Sequence, residues 1–412
     1  MYHQKLLKNI IEKILECKSD IDVFKNNQVE AFQKACENEQ YDFGYSMENC
    51  SYHFSQDVGG KWRSLVNLLS EKVFKNQFSL TYIDSGLRKY FHTFYEEYNC
   101  ENLSNFLTEL KENSSDLLFC IPIYGISLSN QELDIGNFSF KTRDKIKTEM
   151  SELSPELDSD IIIDLQIKDP NQVLLINKHQ TDSEKALEIT LNQTNRLIDI
   201  LNWKFSQLEQ PSYNIKYIIS LHPNKHDQLK YFDLNNKKNI SARFKTIFST
   251  HPLDLNNNLV KSHICNDEVL WLIELIFKDK VNDYHDAILK SLHWFSQFWI
   301  EKQSDNKLLY LAISLEALLS EAFATSSFIS DRVAFILGGN KESRLKLRDL
   351  SKTLYDLRSN IAHGNNINIV QEEDLYQLEN ITRKVLQYAI DNRNTFNSLK
   401  DFKKSIDNKK YE

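Results

Sequence analysis

The sequence predicts a multidomain, mostly helical α+β protein in which a mixed α/β region precedes a C-terminal all-α helical bundle. Three observations carry this expectation. At 412 residues the chain exceeds the size at which a single core keeps growing, so two or three domains are expected. Glycine and proline are scarce, 9 and 6 residues, while Leu, Ile, Asn and Lys abound, a balance that favours helices over a β-sandwich. Strand-like apolar runs cluster between residues 116 and 221, whereas from Asn266 onward only helical periodicity is readable.

Taken in order, residues 1–112 read as mainly helical, with apolar residues at helical spacing from Lys5 to Cys17 and from Trp62 to Phe74. The aromatic, glycine-containing stretch 41–60 interrupts them. From Asp116 to Tyr124 a short apolar run ends in Pro and Gly, and strict alternation follows from Leu133 to Phe140. Asp160 to Ile167, Gln172 to Lys178 and Tyr217 to Leu221 read as further strands. Thr181-Asp-Ser-Glu184 has the form of a capping box opening a long helix to about Gln207. Asn-rich segments at 222–240 and 254–258 read as loops or a linker. Helices are then expected near 266–280, 283–302, 305–323, 328–337, 342–363 and 370–394, with Ser304 or Asp305 as a start and Gly338-Gly339 and Gly364 as stops. No repeat of fixed period is visible. The expected domains are a mainly helical region at 1–115, a mixed α/β module at 116–264, the bundle at 265–400 and a solvated polar tail at 401–412.

Composition excludes several classes. Hydrophobic residues at 41% and charged residues at 26% describe an ordinary globular chain. No run approaches 18 apolar residues, and the first twenty residues are charged throughout without an apolar signal core, so no membrane partner is expected. Six scattered cysteines form no CxxC or Cys/His cluster, which points to reduced thiols in a cytoplasmic protein and leaves zinc without a ligand set. His222 with His226, or His285 with His293, lack a third ligand at useful spacing. No glycine-rich phosphate loop, serine elbow or HExxH is present, and neither a cofactor nor a metal is expected.

The net charge of −8 opposes loose nucleic-acid binding, but residues 271–412 carry 20 Lys/Arg against 20 Asp/Glu, so the acid excess lies upstream. Lys341, Arg344, Lys346, Arg348 and Lys352 stand against only Glu342 and Asp349. They form either a solvated helix face or a local basic cleft in which Arg344, Arg348 and Lys352 contact RNA.

Chemistry concentrates at Arg358-Ser-Asn-Ile-Ala-His363, followed by Gly364. Arginine binds phosphate bidentately and keeps its charge, and histidine, with an ordinary pKa of about 6.5, can serve as base or acid. Such a pair suits cleavage of a phosphodiester by a ribose 2′-OH without metal. At 100° per residue the two side chains stand about 140° apart around a helix, so one helix converges them poorly on one phosphate. Two copies across a two-fold axis would set one subunit's Arg358 beside the other's His363, and a homodimer with a composite cleft is expected. Glu316, on an apolar helix, either points to solvent or needs a partner, Arg358 or Arg332. Ser359 and Asn360 can bond the phosphate or His363, or be ordinary polar positions. Tyr355 either packs or stacks on a base.

The succession Leu311-Ala-Ile-Ser-Leu-Glu316, then Asp331-Arg332-Val-Ala-Phe-Ile-Leu-Gly338, then Leu354-Tyr355-Asp-Leu-Arg358 through His363-Gly364 resembles the HEPN superfamily, nearest its Apea-like branch, over residues 265–400. The resemblance implies a helical bundle that dimerises through its motif-bearing helices. It also implies a metal-independent endoribonuclease acting on RNA such as tRNA, in anti-phage abortive infection or as a toxin, with a phage-derived trigger or an antitoxin inhibitor as partner. Toxins of this kind often carry a tyrosine two residues past the histidine, which is modified by adenylylation. Asn365 occupies that place, so such regulation is not expected there. The alternative is a non-catalytic bundle that dimerises and binds a nucleotide or RNA beneath a ligand-sensing domain.

Overall fold

Leu7, Ile10, Ile14 and Cys17, spaced three or four apart, give helix α1 (Gln4–Lys18) one buried face. The computed structural model describes residues 4–19, 21–25, 43–47, 50–54, 56–95, 97–113, 115–153, 169, 171–208, 218–221, 227–232, 240–245, 252–321, 326–363 and 370–411. Two units divide the chain, residues 1–119 with 178–190, and residues 120–177 with 191–412. Among the described residues fourteen α-helices and smaller sheets make the protein mostly helical.

In the first unit, strands β1 (Ile21–Lys25), β2 (Phe43–Met47) and β3 (Cys50–Phe54) form an antiparallel sheet in the order β1-β3-β2, with both Ile21 and Phe43 opposite Phe54. The aromatic stretch read as an interruption between helices thus forms a β-hairpin. Its alternating aromatics explain why, since Tyr52 and Phe54 share one buried face. Trp62, on α2 (Gln56–Leu68), packs edge-on against Phe54 at 5.1 Å and Phe91 at 5.7 Å. Phe91 lies on α3 (Leu80–Thr93), and α4 (Cys100–Glu112) completes this core through Leu103 and Leu107.

The second unit holds most of a four-stranded sheet, order β4-β8-β7-β6, from β4 (Ser115–Ile123), β6 (Glu132–Ile135), β7 (Phe138–Thr142) and β8 (Val173–Thr181). β4 and β8 each cross the division between the units. Helix α5 (Arg143–Leu153) follows β7 directly, and β5 (Ile126–Ser127) pairs in parallel with β11 (Leu253–Asp254). Gly125 between β4 and β5 has φ +89°, and a Cβ there would stand 2.0 Å from the Ile218 carbonyl oxygen, so no other residue fits. Two residue groups differ from expectation. Part of the Asn-rich linker pairs as β9 (Asp227–Phe232) and β10 (Ile240–Lys245). The long helix α6 (Ser183–Ser206) is capped by Asp182, which accepts from the N–H groups of Glu184 and Lys185 at 3.1 Å each. Thr181 instead donates to the Gln77 carbonyl. The expected strand at 160–167 and the histidines at 222 and 226 lie outside the described residues.

Then come α7 (Asn258–Ile264), α8 (Asp267–Ile276), α9 (Asp283–Ile300), α10 (Ser304–Leu319), α11 (Ser326–Leu337), α12 (Lys341–Ala362), α13 (Glu372–Asp391) and α14 (Leu399–Asn408). One apolar cluster runs from Ile123 through the sheet residues Phe138 and Phe140 to Ile406. The expected boundary at 264/265 therefore falls inside a shared core, where Phe138 meets Phe277 at 5.1 Å.

The expected solvated tail gives way to α14, whose Phe402 and Ile406 are fully buried. Arg332 on α11, only 1% exposed, is the polar counterpart. Its Nε and Nη2 donate to Asp407 at 2.8 and 2.7 Å, Nη2 also to Glu321 at 2.7 Å, and Nη1 to the Leu319 carbonyl at 2.6 Å. Phe402→Ala is expected to destabilise the second unit by about 3–5 kcal/mol, read as an earlier denaturant midpoint. The exposed neighbour Lys404→Ala should stay within about 0.5 kcal/mol. Equal midpoints for the two would show that α14 is not part of the core.

Candidate functional site

Helix α12 starts on a reciprocal cap in which Asn340 accepts from the Ser343 N–H at 2.9 Å and Ser343 accepts from the Asn340 N–H at 3.0 Å. Its apolar stripe faces the bundle. Leu354 is buried, and Leu350, Leu357 and Ile361 pack partly against the core. Tyr355 is fully buried and donates its hydroxyl to the Ala312 carbonyl at 3.1 Å, so it packs and is not a stacking platform. Burial lifts its phenol well above the usual range, with Glu316 adding to the effect and Arg358 opposing it.

Of the two partners open to Glu316, the structure uses Arg358. Arg358 Nη2 stands 3.2 Å from Glu316 Oε1 and 3.4 Å from Oε2, and the side chains are 31% and 27% exposed. Burial pushes the Glu316 carboxyl up, and the Arg358 charge and hydrogen bond offset this only in part. Arg358 Nε is buried with no hydrogen-bond partner. An orphaned donor of this kind costs roughly 1–3 kcal/mol and is the sort of feature that attends function.

His363 is the exposed C-cap of α12, and its backbone N–H donates to the Ser359 carbonyl at 3.1 Å. Among the described residues no hydrogen bond or ion pair joins Arg358 to His363. Ser359 is half-buried, Asn360 exposed, and residues 364–369, including Gly364 and Asn365, lie outside the described residues. Arg332 is not brought to this site but held by Glu321 and Asp407.

The basic residues divide. Lys346 pairs with Glu342 at 2.7 Å along the solvated face and Arg348 with Asp331 at 2.6 Å. Arg344 donates to the carbonyls of Gly338 and Lys409, each at 3.2 Å. A Cβ on Gly338 would meet Arg344 Cγ at 2.5 Å and the Ala334 carbonyl oxygen at 2.6 Å, so glycine is what lets α12 begin this close to the end of α11. Arg344 and Arg348 line a cleft of about 610 Å³ together with Lys341 and Lys410. Lys352 does not line it, and no sequence signal placed Lys410 beside the start of α12.

His285 and His293 each have a partner within the fold. His285 Nε2 bonds the Arg393 carbonyl at 3.1 Å and His293 Nδ1 bonds Asp199 at 3.0 Å. Among the described residues no three His, Cys, Asp or Glu side chains gather as a metal site, and no helix is long and apolar enough to cross a membrane.

Because folding raises the Glu316 carboxyl above its ordinary 4.5, the folded protein binds more protons than the unfolded chain from that pH up to the raised value. Glu316 thus contributes stability that is complete below about 4.5 and is lost as pH rises through the folded value. Glu316→Gln is expected to remove this decline, measured as unfolding midpoints across the window; a slope identical to that of the parent protein would mean Glu316 is not desolvated. No protein-family profile, curated protein or solved structure matches the chain.

Proposed function

We propose that this chain is a metal-independent endoribonuclease of the HEPN type that works as a homodimer. The observation that carries the reading is the arrangement on α12: Arg358 braced by Glu316 from α10, with His363 exposed at the helix end. The three sequence blocks that resemble the superfamily fall on the consecutive helices α10, α11 and α12, which supports it further.

In the proposed reaction the ribose 2′-oxygen attacks the adjacent phosphorus and the bond to the 5′-oxygen breaks. His363 from one copy takes the 2′-OH proton and an imidazolium from the other returns a proton to the leaving oxygen. The products are a 2′,3′-cyclic phosphate and a 5′-hydroxyl end. Arg358 supplies charge to the pentacoordinate phosphorus, where a fixed guanidinium needs little reorganisation. Glu316 positions Arg358 and touches no substrate. The N-terminal part of the chain restrains or triggers cleavage in this reading, in the manner of a defence or toxin-type effector.

A second reading, a non-catalytic bundle that dimerises and binds nucleotide or RNA, draws on one observation: the Arg358–Glu316 contact already gives the guanidinium an internal partner. Incubation with total RNA in excess EDTA separates the two. Cyclic phosphate ends are expected from the parent protein, and His363→Ala and Arg358→Ala are each expected to lower the rate by roughly 10²–10⁴-fold with the fold intact. Undiminished cleavage in both variants removes these residues from the mechanism. Toxicity on expression in a bacterial host, relieved by His363→Ala, is the corresponding result in cells.

A further inference from the structure

The cleft at the corner between α11 and α12 is separate from the Arg358–His363 end of the helix. Its volume, about 610 Å³, lies within the range of ligand sites. Lys341, Arg344, Arg348 and Lys410 line it against a single acid, Asp331. Arg348 already neutralises that acid at 2.6 Å, so three cations remain in excess. Arg344 is fixed rather than mobile, because the carbonyls of Gly338 and Lys409 use two of its five donors. The start of α12 adds the positive end of its dipole to the same cleft.

The spacing of the charges points to a polymer. Lys341, Arg344 and Arg348 stand at i, i+3 and i+7, on one face of α12, and span about 10 Å of helix rise. That length serves more than one phosphate. Phe335 and the exposed Leu345 give the cleft an apolar wall beside the charges, against which an unstacked base can lie. A free phosphate would use neither the length nor the wall.

We propose that this cleft binds the phosphodiester backbone of single-stranded RNA and anchors the strand that the far end of α12 cleaves. The proposal rests on the ribonuclease reading for the fate of the strand, but not for its binding. From Arg344 to Arg358 the helix rises about 21 Å, so the anchor acts several nucleotides from the cut. Lys352, expected from sequence to share the task, stands outside the cleft, and Lys341 and Lys410 take its place.

The test uses the full chain and the double variant Lys341→Ala/Lys410→Ala, whose side chains are exposed and whose loss leaves the fold intact, checked by thermal unfolding. Binding of a fluorescent single-stranded DNA oligonucleotide, which lacks the 2′-OH and is not cut, is measured by anisotropy at several salt concentrations. The same is done with RNA on the His363→Ala protein in EDTA. The double variant is expected to bind both strands roughly tenfold more weakly, with a salt slope shallower by about 1.4, near 0.7 for each lost single-strand contact. Lys346→Ala, on the opposite face, should change neither value. Unchanged affinity and slope in the double variant overturn the cleft, even if the parent protein cleaves RNA. Weakened binding with no cleavage by any protein upholds the cleft and counts only against the nuclease reading.

Discussion

Helix α12 spans 22 residues yet fully buries only Ser351, Leu354 and Tyr355, too few to fix its rotation by apolar burial alone. Polar attachments at three levels do so. Near its start Arg344 hooks the carbonyls of Gly338 and Lys409, in its middle Tyr355 reaches the Ala312 carbonyl, and near its end Arg358 meets Glu316. Bonds to charged groups contribute roughly 1.5–3 kcal/mol each and neutral ones about 1. A slip of one residue turns the helix by about 100° and breaks all three together. The cleft at one end and the Arg358–His363 segment at the other thus keep a fixed angular relation.

Two arginines with similar partners behave differently, and burial decides which is available for chemistry. Arg332 is sealed, 1% exposed, with two carboxylates and a carbonyl within 2.6–2.8 Å. Its removal would leave Glu321 and Asp407 to find water and would loosen α14, the mark of a structural clamp. Arg358 is 31% exposed, its single carboxylate lies no closer than 3.2 Å, and its Nε has no partner. A longer contact to one half-buried acid orients a guanidinium without exhausting it.

How far the sequence could be read follows from which signals are local. The start of α12 was legible because Gly338-Gly339 precede a clear helical period, and the need of Glu316 for a cation because a carboxylate on an apolar helix requires one, although Arg358 and Arg332 were equally open to it. Arg332 was misplaced because its partner Asp407 lies 75 residues away, a distance no pattern spans. The helix α14 was missed because only Phe402 and Ile406 anchor it among lysines and aspartates, which reads as a solvated end until the bundle that covers them is known. The hairpin at 43–54 was missed because a short aromatic alternation broken by Gly and Asn looks like an irregular link. Thr181 and Asp182 are both good caps by residue type, and only the position of the Gln77 carbonyl, which Thr181 meets, decides that Asp182 turns toward α6.

Within one copy, five residues of α12 separate Arg358 from His363 by about 7.5 Å of rise and 140° of rotation, with the arginine braced inward and the histidine exposed. On the proposed nuclease reading a second helix must close that angle. An antiparallel crossing midway between 358 and 363 brings each arginine to the level of the other copy's histidine, so both pairs meet in one composite cleft. The face between the two side chains suits such a crossing. Ala362 and Ser359 stand there, at about 40° and 100° from Arg358, and both are small enough for another helix axis to approach at the near end of the usual 8–10 Å range. The apolar stripe of Leu350, Leu354 and Leu357 lies away from that face and against the bundle. Tyr355, at about 60° from Arg358, is buried on this same side one turn earlier and bonded to the Ala312 carbonyl, so on this reading two copies meet over the last turn alone, where Arg358 both seats the helix and enters the shared cleft.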